Sequence, residues 1–119
     1  DDIDWNLNLK DFKTEVNEEQ LAIAIENILS NQIRYAKSRI EVTMEIDERE
    51  ENLLIRFAND GEKIPETKLE ELFKPFTKGI GGENGLGLSI TRRIIELHGG
   101  TISMVNEEEL VATVIRLPI

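Results

Sequence analysis

Residues 39–57 alternate between apolar and polar side chains, and this alternation limits most strongly what the chain can fold into. Apolar residues occupy every second position from Ile40 to Ile46 and again from Leu53 to Phe57. A period of two places successive side chains on opposite faces of a strand, so each run predicts a strand with one buried face. Two such runs joined by a polar turn predict a β-hairpin.

Helices are predicted on both sides of this hairpin. Asn17 is followed three residues later by Gln20, in the order of an N-terminal capping box, and predicts a helix that continues to about residue 36. Pro65 favours the start of a short helix that reaches Phe73. A last helix is expected to end before Gly99, which suits a left-handed C-cap. Ile90, Ile94 and Leu97 are expected on one face of this last helix.

Three further strands complete the predicted sheet. Trp5, Leu7 and Leu9 alternate with polar residues and predict a half-buried strand, and residues 101–105 and 110–117 predict two strands at the end of the chain. Strands interleaved with helices in this order predict an α+β two-layer sandwich, a mixed and mostly antiparallel sheet covered by about three helices. A length of 119 residues suits one domain spanning residues 1–119.

Composition excludes several classes of protein. A formal net charge of −10 repels nucleic-acid phosphates, so we expect no nucleic-acid partner. The sequence contains no cysteine, which excludes disulfide scaffolds, thiolate metal sites and cysteine nucleophiles. No apolar run approaches the roughly 20 residues that cross a bilayer. The sequence begins at Asp1 without methionine, and we expect it to be a piece of a longer protein.

One face of the first helix carries polar groups suited to a phosphate or a cation. Asn27, Asn31 and Arg34 recur at helical spacing, with Tyr35 at the edge of the same face. Asparagine is a poor residue for the middle of a helix, and its carbonyl oxygen is a ligand for hard cations. Arginine suits phosphate. A solvated polar face is the simpler interpretation until the downstream motifs are considered.

Two glycine-containing motifs follow. Asn59-Asp60-Gly61 comes directly after a predicted strand, and residues 85–88 (GLGL) open a helix whose free N–H groups can receive an anion. Residues 74–87 carry five of the eight glycines and are predicted to be mobile. Each motif is weak alone, but their order along the chain is informative.

The order of these motifs resembles the ATP-binding catalytic domain of sensor histidine kinases, in the superfamily that includes the gyrase-type ATPases. Residues 27–36 (NILSNQIRYA) are similar to the N box of that family, and residues 59–65 (NDGEKIP) to its first glycine box. Residues 72–76 (LFKPF) are similar to its F box, and residues 82–90 (GENGLGLSI) to its second glycine box.

The resemblance implies an enzyme, a protein-histidine kinase domain that binds ATP and Mg²⁺. It makes Asn31 the metal ligand, Asn27 its neighbour at the phosphates, Arg34 a phosphate contact and Tyr35 a ring against the adenine. We expect Asn27, Asn31 and Arg34 to carry the catalytic role.

The resemblance also implies contacts with the base and the triphosphate. Either Asn59 or Asp60 accepts the adenine amino group, where the family usually has aspartate, and both alternatives stay open. Gly61 lets the main chain pass close under the base. The remaining nucleotide-binding residues carried over from the family are Lys78 in the lid, Gly85 and Gly87 at its hinge, and Ile64, Phe76, Leu86 and Leu88.

The sequence departs from the family pattern at three further places. Gln32 stands where a small residue is usual and points toward the core side of the helix, and Lys63 replaces the later glycine of the first glycine box. A Gly-Thr pair close to the final strand is missing, where residues 111–113 (VAT) stand. Asn27 stands where the gyrase-like enzymes have a glutamate that activates water, and this favours a kinase over an ATPase.

The resemblance implies partners outside this chain. The phosphate acceptor is a histidine on a dimerisation domain, the signal passes to a response regulator, and the parent protein is a homodimer in the cell membrane with this domain on the cytoplasmic side. His98 is the only histidine and is interpreted as part of a helix C-cap. Two alternatives remain: a serine kinase of the anti-sigma-factor type, and a degenerate nucleotide-binding interaction module.

Overall fold

A computed structural model of the chain describes residues 3–8, 17–74 and 87–119. Within these ranges, two α-helices lie on one face of a single five-stranded sheet. The helices are α1 (Glu18–Tyr35) and α2 (Gly87–Leu97). The strands are β1 (Asp4–Asn8), β2 (Arg39–Asp47), β3 (Asn52–Asn59), β4 (Thr101–Asn106) and β5 (Val111–Pro118).

The strands are ordered β1-β2-β3-β5-β4. β1 runs parallel to β2, and the other three pairs are antiparallel. The predicted hairpin is β2 and β3, with Ile46 opposite Leu53 and Val42 opposite Phe57. This mixed, mostly antiparallel sheet under a helical layer confirms the predicted α+β sandwich.

The core lies between the sheet and the helices. In β3 and β5 every second side chain points toward α1 and α2 and is buried, as the alternation in the sequence predicts for β3. The large side chains that are almost fully buried are Ile28, Ile40, Leu53, Leu88, Ile95, Ile115 and Leu117, together with Thr91.

The predicted cap of α1 is present. Asn17 Oδ1 accepts a hydrogen bond from the main-chain N–H of Gln20 at 3.1 Å, and the helix ends at Tyr35 with Ala36 as C-cap. The other half of a capping box, an acceptor for the N–H of Asn17, is supplied by His98 instead of the Gln20 side chain.

The end of α2 also follows the prediction. Gly99 has a φ of +78°, and the N–H of Gly100 donates to the carbonyl of Ile95 at 2.9 Å, which is the pattern of a left-handed C-cap. Of the three apolar residues expected on one face of α2, Ile94 is buried, whereas Ile90 and Leu97 are 43% and 61% exposed. The face that meets the sheet carries Leu88, Thr91, Ile94 and Ile95.

The N-terminal strand is confirmed, but its predicted burial was wrong. Trp5 and Leu7 are 43% and 60% exposed, although they stand opposite the buried Ile40 and Val42 in the parallel pairing. β1 is an edge strand that pairs on one side only, with β2. Leu9 lies outside the described residues.

Between β3 and α2 the predicted short helix is two 3₁₀ segments, Glu66–Lys68 and Glu70–Phe73. The N–H of Lys68 donates to the carbonyl of Pro65 at 2.8 Å, a bond to the third residue back that closes the tighter 3₁₀ turn. Leu72 and Phe73 anchor this region in the core. None of the helices in the described ranges is long and apolar enough to cross a membrane.

Candidate functional site

A cavity of about 440 Å³ opens between the C-terminal half of α1 and the ends of β3, β4 and β5. Residues 62–65, in the segment after β3, close one side of it. Its lining residues are Asn31, Gln32, Tyr35, Asn59, Glu62, Lys63, Ile64, Pro65, Met104, Val111 and Thr113. Four of the predicted site residues, Asn31, Tyr35, Asn59 and Ile64, are thus brought together in one cavity.

Buried polar side chains form one part of the cavity wall. Asn31, Gln32, Asn59 and Thr113 are between 2% and 8% exposed, and all four line the cavity. Buried carboxamides and hydroxyls are costly unless they are hydrogen-bonded, so their concentration on one cavity points to ligand recognition.

Two of these carboxamides are joined. Asn59 Nδ2 donates to Gln32 Oε1 at 2.9 Å, and Asn59 Oδ1 accepts from the main-chain N–H of Gly61 at 2.7 Å. The second contact identifies which end of the Asn59 side chain is the oxygen, because an N–H group needs an acceptor opposite it. The prediction that Gln32 points toward the core is confirmed.

Apolar side chains supply the rest of the wall. Ile64 comes from the segment after β3, Met104 from β4 and Val111 from β5, while the Tyr35 ring is contributed by the last residue of α1. An apolar cavity with a few convergent polar groups is suited to a flat heterocycle, because the polar groups fix its orientation.

Side-chain contacts hold residues 61–65 against the turn between β4 and β5. Asn106 Oδ1 accepts from the N–H of Ile64 at 3.0 Å, and Asn106 Nδ2 donates to the carbonyl of the same residue. Lys63 Nζ donates to the main-chain carbonyls of Glu107 and Glu108. Lys63, which replaces a glycine of the family motif, therefore connects the segment after β3 to the β4–β5 turn and stabilises this wall of the cavity.

Ion pairs on the sheet face opposite the helices hold the turn between β4 and β5 in place. Arg56 Nε donates to Glu107 Oε2 at 2.7 Å, and Arg56 also donates to Glu41 Oε1 at 3.1 Å. The hydrogen bond from Arg56 is the main cause that lowers the pKa of Glu107.

Asp60 does not line the cavity. One of its carboxylate oxygens accepts from the main-chain N–H groups of Lys37, Ser38 and Arg39 at 2.8, 3.0 and 3.1 Å. Burial alone would raise the pKa of Asp60, but these bonds and the Ser38 hydroxyl lower it well below its usual range. Of the two candidates left open by the sequence, Asn59 faces the cavity and Asp60 holds the loop between α1 and β2.

Gly61 lies where a side chain would not fit. A Cβ there would stand 2.6 Å from Asn59 Oδ1 and closer still to the carbonyl oxygen of Tyr35. Glycine thus allows the main chain after β3 to pass directly beside the end of α1 and the Asn59 carboxamide.

The predicted phosphate end lies at the start of α2. Asn27 Nδ2 donates to the carbonyl of Gly87 at 3.3 Å, which connects the polar face of α1 to this helix start. The Leu88 side chain is 1% exposed and packs in the core, so only its main chain is left for a ligand. Arg34 is exposed near the end of α1. The predicted residues Phe76, Lys78, Gly85 and Leu86 lie outside the described residues.

The sequence did not identify Met104 and Val111 as part of the site. They reach the cavity because β4 and β5 pair in a register that places Met104 opposite Thr113 and Asn106 opposite Val111. The one local sequence feature that pointed to this side of the cavity was the absence of the family's Gly-Thr pair near Thr113.

Comparison with known proteins gives a consistent assignment. Residues 16–119 match the family model described as histidine kinase-, DNA gyrase B- and HSP90-like ATPase. The sensor histidine kinase CssS of Bacillus subtilis is 41% identical over 118 residues, which is 98% of this chain and 26% of the relative. The chain therefore spans about a quarter of the length of that curated relative.

Solved structures agree. The nucleotide-free catalytic domain of histidine kinase ThkA superposes with a TM-score of 0.83 at 30% identity, covering 96% of this chain and 76% of that one. A structure of ThkA in complex with the response regulator protein TrrA gives a TM-score of 0.79 at 29% identity, covering 96% of this chain and 33% of that one.

Proposed function

The chain belongs to the family of histidine kinase-, DNA gyrase B- and HSP90-like ATPases, and we propose that it binds Mg-ATP and donates the γ-phosphate to a histidine on a separate dimerisation domain. Within the family it is a histidine kinase catalytic domain, as its similarity to the ThkA catalytic domain over nearly its whole length shows.

The observation that carries the proposal is the wall shared by Asn31 and Asn59. Both carboxamides are buried, both line the same cavity, and they come from α1 and from the end of β3. Two side chains with different proposed roles, one toward metal and phosphate and one toward the base, thus border the same ligand-sized space, and this supports the proposal.

At the base end, we assign the adenine amino group to Asn59 Oδ1. Asn59 faces the cavity, whereas the Asp60 carboxylate is occupied by three main-chain N–H groups. Tyr35, Ile64 and Met104 would enclose the ring, and Gly61 would pass under it.

At the phosphate end, the residues present fit Mg²⁺. The described residues contain no cluster of three His, Cys, Asp or Glu side chains, so an all-protein carboxylate cage is absent there. Mg²⁺ typically keeps several waters and takes few protein ligands beside substrate phosphates, and the Asn31 side-chain oxygen suits that role. When bound, the ion would neutralise charge on the phosphates. Asn27, Arg34 and the start of α2 would help hold the triphosphate. The family motifs add Lys78, Gly85 and Leu86 to this proposed set.

Asn27 also bears on the reaction. A carboxamide has no basic lone pair that accepts a proton at neutral pH, so it cannot activate water as a carboxylate does. Phosphoryl transfer depends mainly on positioning and charge neutralisation. These features favour transfer to a protein acceptor over rapid hydrolysis.

The partners follow from the same proposal. The acceptor is the dimerisation domain of the same kinase, in a homodimeric parent protein at the cell membrane with this domain in the cytoplasm. A response regulator would receive the phosphate next, and the complex of ThkA with TrrA supports a partner of this kind.

The test is a labelling experiment with γ-labelled ATP and Mg²⁺. Both ring nitrogens of His98 are hydrogen-bonded, so the chain alone should not label itself. Addition of the dimerisation domain of the parent protein should give acid-labile label on that domain, and its acceptor His→Ala variant is the control. Acid-stable label on a partner serine would support a serine kinase instead. No binding of ATP at all would identify a degenerate interaction module.

A further inference from the structure

We propose that Gln32 is the positioning residue for base specificity, because it holds the Asn59 carboxamide in the orientation that accepts the 6-amino group of adenine. The inference rests on the proposed function and assigns a role to a residue that departs from the family pattern. Gln32 is 3% exposed, lines the cavity and contacts Asn59 directly.

A carboxamide can face a purine with either end. Adenine presents an amino donor at its 6-position, and guanine presents a carbonyl acceptor there. An ionised aspartate at this position would have an acceptor oxygen at both ends, so it would favour the amino group of adenine in either orientation. Asparagine has an acceptor oxygen at one end and a donor NH₂ group at the other, so its preference depends on its orientation. Something else must therefore fix which end of Asn59 is used.

Two contacts fix it. The main-chain N–H of Gly61 lies 2.7 Å from Asn59 Oδ1, and Gln32 Oε1 lies 2.9 Å from Asn59 Nδ2. Rotation of the amide by half a turn would place NH₂ against the Gly61 N–H and oxygen against Gln32 Oε1. The bond from the Gly61 N–H would be replaced by a repulsive contact between donors, and the same would happen between oxygens at Gln32 if the Gln32 carboxamide kept its observed orientation.

The Asn59 oxygen keeps a second lone pair in the observed orientation. That lone pair is the group we assign to the adenine amino hydrogen. Guanine would meet the same lone pair with its 6-carbonyl, so it would bind only if Asn59 turned over. With the Gln32 carboxamide in its observed orientation, Gln32 raises the cost of that turn by one hydrogen bond, which corresponds to about a five- to tenfold preference for ATP over GTP.

The experiment compares dissociation constants for Mg-ATP and Mg-GTP by calorimetry. Gln32→Met keeps the side-chain length and removes the acceptor for Asn59. Gln32→Glu keeps an acceptor for Asn59 Nδ2. An ionised carboxylate has an oxygen at both ends, so its rotation cannot present a donor to the oxygen of an Asn59 side chain that has turned over. Gln20→Met makes the same chemical change near the start of α1, away from the cavity.

We expect Gln32→Met to reduce the ATP-to-GTP preference by about five- to tenfold. Gln32→Glu should keep at least the wild-type preference, and Gln20→Met should match the wild type. Thermal unfolding would establish that each variant is folded. If Gln32→Met does not fold, the ratio of the dissociation constants of Gln32→Glu for Mg-ATP and Mg-GTP alone decides whether the inference stands.

Equal loss of affinity for both nucleotides in Gln32→Met would show a purely structural role and overturn the inference, as would loss of the ATP preference in Gln32→Glu. A wild-type chain that binds ATP and GTP equally would also overturn it while leaving the proposed function standing. A wild-type chain that binds neither nucleotide would instead refute the proposed function.

Discussion

The main-chain N–H of Asn17 donates to Nε2 of His98 across 3.0 Å, joining the residue before α1 to the turn that ends α2. His98 Nδ1 lies 2.8 Å from the carbonyl oxygen of Ile94. An imidazole that accepts at one nitrogen and donates at the other is neutral, with its proton on Nδ1. The single histidine of the sequence therefore connects the two helices.

His98→Ala should lower the free energy of unfolding by about 1 kcal/mol, because the N–H of Asn17 and the carbonyl of Ile94 each lose a partner. Urea unfolding at neutral pH measures the change. Glu96→Ala, at an exposed position of the same helix, is the control and should have a smaller effect. Equal stability of His98→Ala and the wild type would contradict the structural role.

Asn31→Ala should remove most of the Mg²⁺ enhancement of ATP binding while the chain stays folded. A neutral side-chain oxygen is joined to phosphate only through a cation, so the loss should appear with Mg²⁺ present and vanish in EDTA. Calorimetry under the two conditions measures it. Ser30→Ala, at the preceding exposed position, is the control. An equal loss with and without Mg²⁺ would exclude Asn31 as a metal ligand.

Asp60→Asn should destabilise the domain by about 1 kcal/mol at pH 7. Because the pKa of Asp60 is lower in the folded chain than in the unfolded chain, its contribution is present above the unfolded value of about 4 and is lost as the pH falls through the folded value. The difference between wild type and Asp60→Asn should therefore shrink below about pH 4.

Urea unfolding between pH 7 and pH 3 tests this dependence. Glu48→Gln removes an exposed carboxylate from the β2–β3 turn and serves as the control for the loss of one negative charge. A difference between wild type and Asp60→Asn that stays constant over the whole range would show that the hydrogen bonds from Lys37, Ser38 and Arg39 do not depend on the charge of Asp60.

Gly61→Ala should destabilise the domain by about 2 kcal/mol and weaken ATP binding, because the added Cβ would meet Asn59 Oδ1 and the carbonyl of Tyr35. Gly99→Ala is the matched control. It places a side chain at a φ of +78°, so it should cost about 1 kcal/mol of stability but leave nucleotide affinity unchanged. Reduced affinity in both variants would mean that lost stability, and not the contact at Gly61, weakens binding.

The sequence by itself predicted the elements that depend on neighbouring residues. The alternation in residues 39–57 predicted β2 and β3, Asn17 predicted the start of α1, and Gly99 predicted the end of α2. Such patterns are readable because side-chain direction repeats every two residues in a strand, and because caps satisfy main-chain groups within a few positions. The family motifs added the expectation that Asn31 and Asn59 would share a site.

Only the tertiary structure decided which groups meet. The choice between Asn59 and Asp60 depended on the loop that Asp60 binds more than twenty residues away in sequence, and the contact of Gln32 with Asn59 spans 27 positions. Met104 joined the cavity through the pairing of β4 with β5. The exposure of Trp5 and Leu7 depended on the place of β1 at the edge of the sheet, which no period in the sequence encodes. Contacts between distant segments are set by packing and register, and these are properties of the folded chain as a whole.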